Sequence, residues 1–224
     1  MNKSVAVVPT YNPTELNYNY ISELRNLHAL GFDIYVINNN STNTEYLDKI
    51  KELDFVNVED SIFGGAYEIG SLNQVFKKGL YENYLLVQDS VLIKDPMTFD
   101  NYASYHCSYV LGLMSFSSCI NSFTTSPDRF WFDEKFPELI ECLEPAQGVL
   151  GNNFMCKKRH LIQMARIGYL SDEFMPKSKH GSQAWERVLG TFFYKYGISV
   201  KFIDSIRPHM VDNKIFTKIA QHRN

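Results

Sequence analysis

The stretch "YLLVQDSVLIK", residues 84–94, decides how this chain is read. A strand-like run, Leu85-Leu86-Val87, stops at Gln88-Asp89-Ser90, and apolar residues resume at Val91-Leu92-Ile93. An amide, a carboxylate and a hydroxyl inside a buried run are costly unless each finds a partner. The residues upstream suggest where such a group belongs. Residues 4–8 (SVAVV) are a β-branched run, the pattern of a strand covered on both faces. Pro9-Thr10-Tyr11-Asn12-Pro13 ends it with turn chemistry. Residues 16–30 carry apolar side chains at helical spacing, and Gly31 follows as a C-cap. A second strand, 32–38, closes at Asn38-Asn39-Asn40-Ser41. Residues 44–53 read as a helix and 55–59 as a third strand. Gly64-Gly65 opens a helix over 66–79, and 84–93 is the fourth strand.

Strands alternating with helices through short connections imply parallel pairing and right-handed crossovers. Ligands of such sheets bind at the C-terminal ends of the strands. The polar clusters 9–12, 38–41, 60–65 and 88–90 all fall there. The second half is less regular. It reads as a strand over 109–116, an aromatic loop or short helix over 123–136, and a Gly-rich loop then strand over 148–157. Helices over 160–167 and 182–196 and a last strand over 198–203 complete it.

With 224 residues, 45% of them hydrophobic, and no repeat or linker, the chain suits a single domain with a substantial core. Lys and Arg number 22 against 25 Asp and Glu, a net charge of −3, which gives no general attraction to nucleic acid or anionic membranes. The densest basic run is "CKKRH" at 156–160. No segment approaches the ~20 apolar residues of a membrane span, and the N-terminal apolar run is too short for a signal-peptide core. A soluble, cytoplasmic protein is expected. The four cysteines form no C-x-x-C pair and read as buried thiols.

Six motifs follow one another: "VVPTYN", "VINNNS", "GGAYEIGSLNQVFKKG", "LLVQDSVLI", "QGVLGNNFMCKKR" with "AWERVLG", and "RPHM". In that order they resemble the glycosyltransferases of the GT-A fold, most like the inverting group that uses nucleotide-diphospho-sugars. The resemblance is firmest over residues 4–95 and extends through 145–210. It implies a Rossmann-like α/β domain with a mostly parallel sheet. Residues 1–95 would bind the nucleotide-sugar, and 96–224 would bind the acceptor and carry catalysis. Pro9, Thr10 and Tyr11 would line base and ribose, Asn38 or Asn40 would replace the usual acidic reader, and Gly64 and Gly65 would let the backbone approach. Gln88-Asp89-Ser90 would stand at the Asp-x-Asp signature, which in this family holds Mn2+ or Mg2+ on the diphosphate.

That signature lacks both outer carboxylates here, so three readings stay open. Asp89 could hold a metal with His209. The enzyme could be metal-independent and use Lys157, Lys158, Arg159 or Arg207 on the diphosphate. Or the site could be catalytically weak. Glu186 is the candidate base, a carboxylate expected at a helix start beside Trp185 and partly desolvated; an ordinary helical Glu is the alternative, and Asp172 and Glu173 are substitutes. The aromatic residues of 128–136 could stack an acceptor sugar or simply cap the core. No nucleophile for a two-step route stands out, which favours inversion. The expected function is transfer of a sugar from a nucleotide-diphospho-sugar, a uridine one first, to a glycan or protein hydroxyl. A nucleotidyltransferase or an inactive nucleotide- or glycan-binding protein are the rivals.

Overall fold

The computed structural model describes residues 3–64, 67–116, 118–123, 125–205 and 210–219. The first elements are β1 (Ser4–Thr10), α1 (Glu15–Ser22), α2 (Arg25–Ala29), β2 (Phe32–Asn38), α3 (Glu45–Lys51), β3 (Val56–Asp60), α4 (Tyr67–Lys77), β4 (Asn83–Leu86) and β5 (Val91–Ile93). After them come α5 (Pro96–Ser104), β6 (Val110–Phe116), α6 (Ser126–Lys135), β7 (Gly148–Val149), β8 (Phe154–Lys157), α7 (Lys158–Arg166), α8 (Lys179–Lys195), β9 (Val200–Ser205), β10 (Met210–Asp212) and β11 (Phe216–Ile219).

The main sheet has eight strands and is mostly parallel. Its order is β3-β2-β1-β4-β8-β6-β7, with β9 also on β6. β1 through β4 pair in parallel, as the alternation predicts. β8 then enters antiparallel against β4 and β6. Side chains alternate across a strand, so β1, apolar at nearly every position, needs cover on both faces. It has it. Val5 and Val7 join one core with Ile69, Leu72 and Val75 of α4. Ala6 and Val8 join the other with Ile21, Leu24 and Leu27 from α1, α2 and the turn between them.

Three expectations need correction. The single helix over 16–30 is two helices. Leu24 N–H bonds Ile21 O, three residues back, and this tighter turn separates α1 from α2. The strand over 84–93 is likewise two strands in two sheets. Val87 N–H donates to Val7 O, and the next rung of a parallel ladder would need a donor at position 9, where Pro9 has none. The chain therefore leaves β1. It turns through Gln88-Asp89-Ser90, closed by Val91 N–H on Gln88 O (3.0 Å), and β5 joins β11 and β10 in a separate antiparallel sheet. For the same reason the strand expected over 198–203, observed as β9, is not the last one.

α5 was not foreseen; Asp95 caps it by accepting from Met97 N–H (3.1 Å), with Pro96 at its first position. The aromatic segment forms α6 and mostly caps the core. Phe136 is buried among Trp131, Phe132, Tyr169, Phe174 and Trp185, whose ring centroids lie 5.1–6.1 Å away, while Phe130 is 71% exposed. All four cysteines are free and buried.

Candidate active site

The C-terminal ends of β1, β2 and β4 are tied to one another by side chains. Thr10 Oγ1 donates to Asp89 Oδ2 at 2.6 Å, in a buried contact. Asn17 of α1 donates from Nδ2 to Asp89 O at 3.0 Å. Asn12 N–H donates to Ser41 Oγ (2.8 Å), and Asn12 Oδ1 accepts from the backbone of Thr42 and Asn43 at 2.8 and 3.0 Å. Asn12 reaches those donors by adopting a left-handed backbone, φ +44°. Asn38 holds the loop after β2, donating to Asp60 Oδ1 (2.8 Å) and accepting from Ser41 N–H (3.0 Å). Its amide is engaged in loop structure. Asn40 is exposed with φ +60°, and a Cβ on Gly64 would lie 3.9 Å from its Nδ2. Tyr11 is 39% exposed at the end of β1, and Pro9 is buried within it.

A second cluster surrounds Gln88. Its Nε2 donates to Glu68 Oε1 of α4 (2.7 Å), its N–H donates to Asn153 Oδ1 (2.8 Å), and its Oε1 accepts from Lys218 Nζ of β11. Glu68 Oε2 accepts from Ser182 Oγ of α8 at 2.6 Å. Gly151 packs directly on Gln88: a Cβ there would meet Gln88 Oε1 at 2.7 Å, and Gly151 has φ +61°. Gly151 N–H donates to Glu186 Oε1 at 2.8 Å. Glu186 thus joins α8 to the 150–153 loop, and that loop to the tip of β4.

This approach depends on Gly190, one helical turn beyond Glu186. A Cβ at Gly190 would lie 2.1 Å from Gln147 O and 3.0 Å from Gly148 Cα. α8 thus crosses the chain entering β7 almost backbone to backbone, which brings the following loop under Glu186.

Burial pushes the Glu186 carboxyl up from 4.5 to about 7. The Arg187 guanidinium, 3.3 Å from Oε2, and the Gly151 N–H oppose that rise; Glu68 adds to it and Lys218 offsets it. The Glu186 side chain is 14% exposed. A carboxyl with a pKa near 7 and an opening to solvent is poised to take a proton at neutral pH. Its setting differs from the expected one. Glu186 is the eighth residue of α8 and not at its start. Trp185 faces the aromatic core and donates its indole N–H to Phe174 O.

Other expected residues fall elsewhere. Lys157, Lys158 and Arg159 lie at the opposite end of the sheet, because β8 runs antiparallel to β4 and pairs Lys157 with Asn83, the first residue of β4. Lys157 Nζ donates to Asn83 Oδ1, Tyr102 O and Ala103 O. Arg159 donates to Cys107 O. Asp172 forms a surface ion pair with Lys77, and Glu173 accepts from the neighbouring Ser171 hydroxyl. Gly65, Arg207 and His209 lie outside the described residues. Glu68, Ser182, Gly151 and Lys218 were not singled out from the sequence. Glu68 sits in the quoted Gly-rich motif and could have been; Lys218 carries no local signal.

A divalent cation at the signature needs several oxygen donors. Gln88 presents a neutral amide already engaged with Glu68 and Lys218. Asp89 is 4% exposed and takes the Thr10 hydroxyl. Among the described residues, no group of three His, Cys, Asp or Glu side chains is placed to hold a metal ion. Asp89 is the carboxylate of the Gln88-Asp89-Ser90 turn, and His209, the other expected ligand, lies outside the described residues.

No family model matches the chain, and no curated protein matches it in sequence. Solved structures do resemble it in fold. Glucosyl-3-phosphoglycerate synthase from Mycobacterium tuberculosis, in complex with Mn2+, UDP and glucosyl-3-phosphoglycerate, superposes with a TM-score of 0.53 at 11% identity, over 95% of this chain and 73% of that one. S. aureus TarS 1–349 in complex with UDP gives 0.50 at 20% identity, over 92% and 61%. The chain spans only part of several of these structures, 47% of a mannosyltransferase from Pyrobaculum calidifontis at a TM-score of 0.47. The fold is that of the GT-A glycosyltransferases, as the order of motifs predicts. No helix of the described residues is long and apolar enough to cross a membrane.

Proposed function

We propose that the protein is a glycosyltransferase that moves a sugar from a nucleotide-diphospho-sugar to a hydroxyl of a glycan or protein acceptor, with inversion. One observation carries the reading: a carboxyl with a pKa near 7, Glu186, held against the Gln88-Asp89-Ser90 turn by the 150–153 loop. In this reading the nucleotide lies over the tips of β1 and β2, near Tyr11 and Asn40, and the diphosphate lies at the 88–90 turn. Glu186 takes the acceptor's proton as the acceptor oxygen forms a bond to the anomeric carbon. The bond from that carbon to the diphosphate breaks, and its electron pair leaves with the phosphate oxygen. Structures of similar fold hold UDP, which makes uridine donors the first to try.

The test is nucleotide release from a panel of UDP- and GDP-sugars with added glycan and peptide acceptors. Release by wild type and its loss in Glu186→Gln support the reading. Binding of nucleotide with no release from any donor supports an inactive binding protein. No binding at all removes the reading.

A further inference from the structure

We propose that Glu68, on α4, is a positioning residue for the transfer: it braces the Gln88-Asp89-Ser90 turn against α8 and sets a second negative charge beside the Glu186 carboxyl. The inference rests on the glycosyltransferase reading and concerns the same site. Glu68 accepts with both oxygens. Oε1 takes the Gln88 amide at 2.7 Å, and Oε2 takes the Ser182 hydroxyl of α8 at 2.6 Å. A carboxylate presents acceptors only, which matches these two donors. The 150–153 loop joins the same turn and helix by a second route. Asn153 Oδ1 accepts from Gln88 N–H at 2.8 Å, and Gly151 N–H donates to Glu186 Oε1 at 2.8 Å. The two routes close a ring, with Glu186 on one side and Glu68 on the other. Neither the turn nor α8 can shift without straining bonds on both routes, so the ring fixes where the Glu186 carboxyl stands relative to the turn.

The residue at position 88 fits that arrangement. The resemblance places an acidic residue there, and a carboxylate at 88 would face the Glu68 carboxylate. Glutamine instead offers its N–H to Glu68 and its oxygen to Lys218 Nζ, so the amide is set one way round. The charge of Glu68 acts as well as its bonds. Among the described residues, the ionic groups that bear on Glu186 are Arg187 on its own helix, Glu68 from α4 and Lys218 from β11. Arg187 and Lys218 draw the carboxyl down; Glu68 adds to the rise that burial causes. Arg187 also donates to Gln183 O and to Ser122, which holds its guanidinium in place. Glu68 thus works with burial to keep Glu186 basic enough to take a hydroxyl proton. It does so through Gln88, Ser182 and its charge, without touching the reacting atoms.

The test follows nucleotide release against pH in wild type, Glu68→Gln and Ser182→Ala, with the same donor panel. In parallel, urea unfolding locates the Glu186 titration in each background, as the pH at which the stability gap opened by Glu186→Gln stops growing. In Glu68→Gln, kcat is expected to fall about 10–100-fold with the donor KM within about threefold of wild type. Both the kcat/KM limb and the unfolding titration are expected to move down by about half a pH unit or more. Ser182→Ala removes one bond of the brace and keeps the charge; it is expected to lower kcat about 3–10-fold and to leave both titrations within about 0.2 pH units of wild type. Glu68→Gln with the unfolding titration at its wild-type place, in a protein that releases nucleotide, overturns the inference and leaves the glycosyltransferase reading standing. So does a wild-type kcat in Ser182→Ala, which decides the matter if Glu68→Gln fails to fold. No release by wild type from any donor overturns the glycosyltransferase reading and the inference with it.

Discussion

Glu186→Gln separates the chemistry of the site from its architecture and gives a magnitude to check. The carboxyl titrates near 7 in the folded protein against 4.5 ordinarily. Below pH 4.5 it is protonated in both folded and unfolded chains, so it does not penalise folding. As pH rises the unfolded chain ionises first, and the folded state loses relative stability until its own carboxyl ionises near 7. The full loss corresponds to about 3 kcal/mol, an upper figure because the side chain keeps some contact with solvent. Glutamine keeps an acceptor for Gly151 N–H. Arg187 retains Ser122 O, Ser122 Oγ and Gln183 O. Glu186→Gln is therefore expected to match wild type in urea unfolding at pH 4.5 and to exceed it by about 2–3 kcal/mol at pH 8. In turnover, wild-type kcat/KM should rise with pH through a limb near 7. The variant should lack that limb, lose about 10²–10⁴-fold in kcat, and keep donor affinity within about threefold. A stability difference that does not change between pH 4.5 and 8, or normal turnover by the variant, refutes the reasoning.

Three further outcomes test how the site is built. Gly190→Ala should destabilise by about 1–3 kcal/mol because its methyl meets Gln147 O, although helix propensity alone favours alanine by about 1 kcal/mol; a melting temperature above wild type would refute the close crossing. Thr10→Val removes the charge-assisted bond to Asp89 and should cost about 1.5–3 kcal/mol in urea unfolding at pH 7, with weaker UDP binding by calorimetry. Phe136→Ala should cost about 3–5 kcal/mol, since its ring lies among five other aromatic groups, and unchanged unfolding would contradict that core.

The parallel half of the fold was legible because its strands are short β-branched runs closed by polar turns, and burial on both faces leaves that signature. The polar interruption at Gln88-Asp89-Ser90 was legible as the end of a strand in the main sheet. Its role as a switch between sheets was not, because the partner of β5 is β11, more than a hundred residues later, and such pairing leaves no local pattern. Pro9 held half of the answer: it ends the ladder that would have kept residues 88–93 in the main sheet. Glu186 stood out through the motif around it, but its raised pKa did not: burial lifts it and the charge of Glu68, far away in sequence, adds to the rise. Charge density misled at 157–159, since linear clustering says nothing about which end of a sheet a strand presents. Lys218, a single lysine in a short strand, reads as an ordinary solvated residue until the second sheet is assembled.

A crystal structure of the protein with UDP tests the central claim most directly. The account predicts the diphosphate at the Gln88-Asp89-Ser90 turn and the Glu186 carboxyl facing the space where the sugar would sit. UDP bound away from that turn, for instance at the Lys157–Arg159 end of the sheet, would contradict it.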